Sequence, residues 1–91
     1  MSWHILHTRT FYKDLAKIPN QTREQIENVA YGDEMANDPF LGGRAQKMVG
    51  YHDYYKIRFG SYRVGLRVDS VNQIIEFRRV LHRKDIYKNF P

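Results

Sequence analysis

Between Tyr54 and Tyr87, cations and apolar residues alternate along the chain, and this restricts the fold more than any other feature of the sequence. The first part reads Y-Y-K-I-R-F-G-S-Y-R-V-G-L-R-V-D. After a polar break at Ser70-Val71-Asn72-Gln73 it continues as I-I-E-F-R-R-V-L-H-R-K-D-I-Y. A period of two is the signature of a strand with two unlike faces. Lys56 and Arg58 share one face of the first run, and Tyr55, Ile57 and Phe59 the other. Gly60-Ser61 can turn the chain. Tyr62, Val64, Leu66 and Val68 then fall on one face, with Ser61, Arg63, Gly65 and Arg67 opposite. Two such strands side by side line up an apolar sheet face and a basic one. A basic sheet face with tyrosines at its margins suits a polyanion with stacking bases, so RNA is the first ligand to consider.

The size of the chain sets what such a sheet can be built into. Its 91 residues are expected to form one small domain, residues 1–91, that buries about 60% of the surface its unfolded chain exposes. The absence of cysteine excludes disulfides and thiolate metal sites. No run is apolar for long enough to span a bilayer, and the N-terminal residues lack a signal-peptide core. The expectation is a soluble cytoplasmic protein with no membrane partner. Charge is unevenly placed. Residues 1–55 hold six Lys/Arg against seven Asp/Glu, a balance of −1, whereas residues 56–91 hold nine against three, a balance of +6. The basic half is the strand-patterned half. A positive surface speeds encounters with nucleic acid or acidic protein without implying any chemistry.

In chain order, Trp3–His7 is rich enough in apolar residues for a first strand. Thr8 or Thr10 can cap the helix after it, whose stripe is Phe11, Leu15 and Ile18. Pro19 ends that helix by excluding its predecessor from the α region. A second helix follows, with Thr22 and Gln25 at capping-box spacing and Asn20 as a competing cap. Ile26, Val29 and Ala30 form its buried stripe, with Met35 and Ala36 as a possible continuation past Gly32. Asn37-Asp38-Pro39 stops it. Phe40–Gly43 reads as a loop, Arg44–Tyr54 as the lead-in to the sheet, and Gly50–Asp53 as a turn or bulge. The last strand, Gln73 to about Leu81, has no purely apolar face; a central position in the sheet, or a bulge near Arg78-Arg79, accounts for that. The order β-α-α-β-β-β plus a tail predicts an α+β two-layer domain. Two N-terminal helices cover one face of a small, mainly antiparallel sheet and leave the cationic face open.

The loop N-D-P-F-L-G-G-R, the lead-in K-M-V-G-Y-H-D-Y-Y-K-I-R-F, the turn G-S-Y-R-V and the ending H-R-K-D-I-Y together resemble the RelE/ParE superfamily of bacterial toxin–antitoxin modules. The resemblance runs over essentially the whole chain and implies the RelE-like fold. Members of the RelE type are ribosome-dependent endoribonucleases (mRNA interferases) that cut mRNA in the ribosomal A site and so inhibit translation. ParE-like members poison DNA gyrase and lack the basic catalytic set. The sequence resembles the RelE type at Lys56, at Arg58 (often a second lysine in that type), at Arg63 in the G-x-Y-R turn, at Arg83 after the last strand and at Tyr87. The resemblance implies a cognate acidic antitoxin, and operator DNA bound only indirectly through that antitoxin. It implies no cofactor.

RNA cleavage without a metal uses the substrate's own 2′-OH as nucleophile and leaves a 2′,3′-cyclic phosphate and a 5′-OH. It needs a group to take the 2′-OH proton, charge on the phosphorane oxygens and an acid for the leaving 5′ oxygen. Clustered cations disfavour one another's charged forms, which makes Lys56 the candidate base. Arg58 and Arg63 would hold the phosphate. Arg83 or His82 would be the acid, imidazole being the easier donor near neutral pH. Tyr87 would stack on a base or orient the 2′-OH. The scattered His4, His7 and His52 suggest no metal site, and no phosphate-cradling glycine loop is present. Two other readings stand beside the ribonuclease: a gyrase poison, and a non-catalytic basic module that binds RNA or protein.

Overall fold

The computed structural model describes residues 3–91. The chain runs β1 (His4–His7), α1 (Arg9–Leu15), α2 (Asn20–Ala30), α3 (Glu34–Asn37), a 3₁₀ turn (Leu41–Gly43), β2 (Ala45–Lys47), β3 (Tyr54–Phe59), β4 (Tyr62–Asp69), β5 (Ile74–His82) and α4 (Ile86–Asn89). The strands form one sheet in the order β1-β5-β4-β3-β2. The β2-β3, β3-β4 and β4-β5 pairs are antiparallel, and β1 lies parallel to β5. This is the expected α+β architecture with a mainly antiparallel sheet.

One sheet face carries the main core. Phe11 and Leu15 of α1, Ile26 and Val29 of α2, and Met35 of α3 pack on Ile57, Val64, Leu66, Ile75, Phe77 and Val80. The alternation of β3 and β4 supplies this face as the sequence predicts. Strand β5 needs a further device. Gly65 pairs with Arg79 but Leu66 pairs with Phe77, so Arg78 is the extra residue of a β-bulge. The bulge shifts the phase, and Ile75, Phe77 and Val80 all become buried. The Val80 N–H there donates to the Asp14 carboxylate of α1 at 3.0 Å, and the same oxygen accepts from Arg79 Nε at 2.7 Å. Both explanations for the irregular pattern of β5 therefore hold: the strand is central, between β1 and β4, and it is bulged.

The structure corrects the helix boundaries. Helix α1 is capped by Thr8, whose Oγ1 accepts from Phe11 N at 3.1 Å. It stops at Leu15, three residues before Ile18, because the chain tightens: Lys17 N bonds Asp14 O and Ile18 N bonds Leu15 O. Ile18 is still buried. Helix α2 has Pro19 at its N-cap, and neither Thr22 nor Asn20 caps it; the Asn20 side-chain oxygen accepts from the Arg23 guanidinium instead. Helix α2 also does not run through to Met35. The chain breaks after Tyr31, and a Cβ at Gly32 would sit 2.4 Å from the Asn28 carbonyl oxygen. A separate turn, α3, carries Met35 into the core.

Two further differences bear on function. The segment after Gly43 contributes an edge strand, β2, where only a lead-in was expected. The cationic sheet face is also not wholly open. Ile86 and Phe90 of the C-terminal segment pack there against Met48, Tyr54 and Leu81 as a second core cluster. Gly65 makes that approach possible, since a Cβ on it would lie 2.8 Å from three atoms of the Phe90 ring. The tail thus divides the basic face, closing one part with apolar packing and leaving a cleft beside it.

Candidate functional site

Register explains the composition of the cleft. Gln46 lies opposite Lys56 across β2 and β3, Lys56 opposite Gly65, and Arg58 opposite Arg63. Strand alternation puts all these side chains on the face away from the helices. They bound a cavity of about 450 Å³ with Arg44, Arg83 and Tyr87. Five of the six residues proposed from sequence, Lys56, Arg58, Arg63, Arg83 and Tyr87, thus meet at one place despite spanning 32 positions of the chain.

The sixth does not line that cavity. His82 pairs with Tyr62 at the end of β5, and the two rings meet edge-on with centroids 5.6 Å apart. Tyr62 packs on the main core. His82 Nδ1 accepts from Lys84 N at 3.2 Å, so the imidazole caps the turn into α4. The bulge at Arg78 sets the phase of the end of β5 and turns His82 to the helix-side face.

Each cation has a definite support. Arg63 Nη1 donates to the carbonyl oxygens of Gly60 and Tyr62 at 2.8 and 2.9 Å, which fixes its guanidinium beside the β3-β4 turn. Arg83 N donates to Ser61 O at 2.8 Å, so the same turn anchors both arginines. Arg44 Nη2 is 3.5 Å from Arg58 O, and its guanidinium carbon lies 5.2 Å from the Phe59 ring centre. Lys56 Nζ donates to the Tyr87 hydroxyl. Tyr87 is 64% exposed while its neighbour Ile86 is fully buried, so α4 is anchored by one residue and offers the next to solvent.

The electrostatics are those of an uncompensated cluster. Among the described residues no carboxylate lines the cavity. The acidic partners among them sit elsewhere: Asp14 with Arg79, Asp53 with Arg67, and Glu76 with Arg67 and Arg78. Partial burial, then the nearby charges of Arg58 and Arg83, lower the pKa of Arg63 from its ordinary value. That is the direction expected where cations are held together without an anion, and a bound oligoanion relieves it. Among the described residues no group of three or more His, Asp or Glu side chains is placed to hold a metal ion. No helix among them is long and apolar enough to cross a membrane.

Arg44 and Gln46 escaped the sequence reading. The signal was the alternation Arg44-Ala45-Gln46 with only Ala45 buried, and a strand of three residues gives too few periods to register.

Fold and cleft together define a class: a small α+β protein with a cationic cleft and one aromatic side chain at its margin. Comparison with known proteins makes this specific. The family model for the ParE toxin of the type II toxin–antitoxin system parDE matches residues 5–87. The toxin RelE3 of Methanocaldococcus jannaschii is 42% identical over 90 residues, covering 96% of this chain and 98% of that protein. The crystal structure of a RelB–RelE antitoxin–toxin complex from Methanococcus jannaschii superposes with a TM-score of 0.75 at 42% identity, over 94% of this chain and 99% of that one. A mutant form of the E. coli toxin RelE in the free state shares the fold, with a TM-score of 0.72 at 22% identity over 96% of this chain and 92% of that one. The chain belongs to the RelE/ParE superfamily of type II toxin–antitoxin toxins, on its RelE-like branch.

Proposed function

We propose that this toxin is a metal-independent, ribosome-dependent endoribonuclease that cuts mRNA in the ribosomal A site. The observation that carries this reading is the convergence of Lys56, Arg58, Arg63, Arg83 and Tyr87 on one cleft that no described carboxylate lines. Such a cleft suits a reaction in which negative charge grows on a phosphate. Attack of the 2′-OH on the adjacent phosphorus forms the P–O2′ bond and breaks the P–O5′ bond. Lys56, held against the Tyr87 hydroxyl, takes the 2′-OH proton. Arg63 and Arg58 hold the non-bridging oxygens, where preorganised donors act on developing charge. Arg83, anchored through its backbone to the same turn as Arg63, gives a proton to the leaving 5′ oxygen, and exchange with water then takes the proton from Lys56 and restores the Arg83 guanidinium. His82, with Nδ1 engaged by the Lys84 N–H, is the weaker choice for that step.

A cleft of five cations, one amide and one exposed tyrosine has few groups to align a nucleotide unaided, so alignment falls to the ribosome. The relative solved as a RelB–RelE complex supports a cognate antitoxin as the restraining partner. Acidic residues of that partner fit the uncompensated cleft, and any operator contact is made through it. The match to the ParE model favours one alternative, a gyrase poison, and the test separates the two. The protein is induced briefly in cells, and 5′ ends are mapped on a translated message and on the same message without its start codon. Cuts within codons of the translated message alone support the ribonuclease. An intact message with arrested growth overturns it and directs attention to a supercoiling assay.

A further inference from the structure

We infer that Gln46 reads a base beside the scissile phosphate and gives the cleavage a preference for adenine; this rests on the ribonuclease reading above. Among the described residues, Gln46 is the only amide side chain lining the cavity. The four arginines there can only donate hydrogen bonds, which suits phosphate oxygens, and Lys56 is engaged with the 2′-OH proton. A carboxamide adds nothing to charge neutralisation, but it presents one donor and one acceptor in a plane. That pair matches bidentately the N6–H donor and N7 acceptor of adenine, whereas guanine offers two acceptors, O6 and N7, on the same edge. On a single strand the base edges are free to be read in this way.

Position supports the role. Gln46 is exposed and lies directly opposite Lys56 in the β2-β3 ladder, where paired side chains sit about 5 Å apart. Lys56 in turn touches the Tyr87 hydroxyl. Arg58 is two residues along β3 from Lys56, a shift of about 7 Å, and pairs with Arg63. The cleft therefore has two neighbouring rows, one of arginines and one with Gln46 and Lys56. A nucleotide whose phosphate lies on the arginine row places its sugar or base along the other. Gln46 is carried on a strand, and its Cα is held by the ladder to β3, so its reach is defined against the reacting atoms.

The experiment maps cleavage sites across many translated messages for the wild type, Gln46→Ala and Gln46→Glu. The wild type is expected to show adenine enriched at one fixed position relative to the cut. Gln46→Ala should reduce that enrichment about tenfold, the discrimination of one bidentate contact, while cutting continues at more sites. Gln46→Glu should move the preference at the same position toward cytosine, whose amino group a carboxylate accepts from. A purely structural role for Gln46 changes the amount of cutting and leaves the base profile alone. An unchanged profile in both variants, or a wild type with no base preference, overturns the inference and leaves the ribonuclease reading standing. A wild type that leaves every message intact removes both.

Discussion

Replacing Phe90 with alanine tests how the tail holds the cleft together. Phe90 is 4% exposed. Its ring lies on Gly65, meets Tyr54 edge-on at a centroid distance of 5.4 Å, and forms a cluster with Met48 and Ile86. Truncating a buried phenylalanine costs about 3–5 kcal/mol when a cavity remains. Here the segment is short and lies on the outside of the sheet, where it can relax, so the lower figure applies, about 3 kcal/mol. For a domain of this size each kcal/mol shifts Tm by about 4–8 °C, which gives a fall of roughly 12–24 °C. Helix α4 has four residues and cannot persist without packing. Its release also separates Tyr87 from Lys56. The cause is isolated by a double-mutant cycle with Gly65→Ala. Alone, Gly65→Ala pushes the ring from its seat and destabilises. In the Phe90→Ala background the clash is gone, and the added methyl should cost nothing or gain about 0.5 kcal/mol from reduced backbone freedom of the unfolded chain. Urea unfolding of the four proteins measures this. Additive effects, or a Tm loss under about 4 °C for Phe90→Ala, would refute the docking argument.

Three other outcomes follow from the same geometry. Arg63→Ala and Tyr87→Phe should each lower mRNA cleavage by about 100-fold, whereas antitoxin affinity, spread over five cleft cations, should fall far less, as read by growth rescue and titration calorimetry; a loss of affinity matching the loss of cleavage would indicate a binder rather than an enzyme. Asp14→Ala removes the acceptor shared by Arg79 and Val80 N and should cost about 2 kcal/mol in urea unfolding, whereas a neutral result would mean the bulge is held without it. The hydrogen bonds to Asp69 from the Asn72 side chain and backbone, with a further one from Val71 N, hold its carboxyl below its usual value. Its stabilisation is thus present above about pH 3.9 and is lost as pH falls through the lower folded-state value; Asp69→Asn should be less stable than wild type at about pH 6, and the gap should narrow as the pH is taken progressively below about 3.9.

The sequence alone determined the elements whose periodicity is local. Strands β3 and β4 alternate over 6 and 8 residues, long enough for both faces to be read, and the helical stripes of Phe11 and Leu15 and of Ile26 and Val29 are equally regular. Lys56, Arg58 and Arg63 were therefore visible as one basic face, and the resemblance of the chain's motifs to RelE-type toxins added Arg83 and Tyr87. Tertiary structure decided the rest, because it depends on contacts between distant segments. The bulge at Arg78 exists because β4, β1 and α1 all act on β5, and it turns His82 away from the cleft. Gly65 looks like any strand glycine until Phe90 packs on it from 25 positions away. Arg44 and Gln46 gain their place from pairing with β3, since three residues hold too little local pattern to announce a strand. Local order writes its period into the chain; a cleft assembled from several distant segments is written only in how they pack.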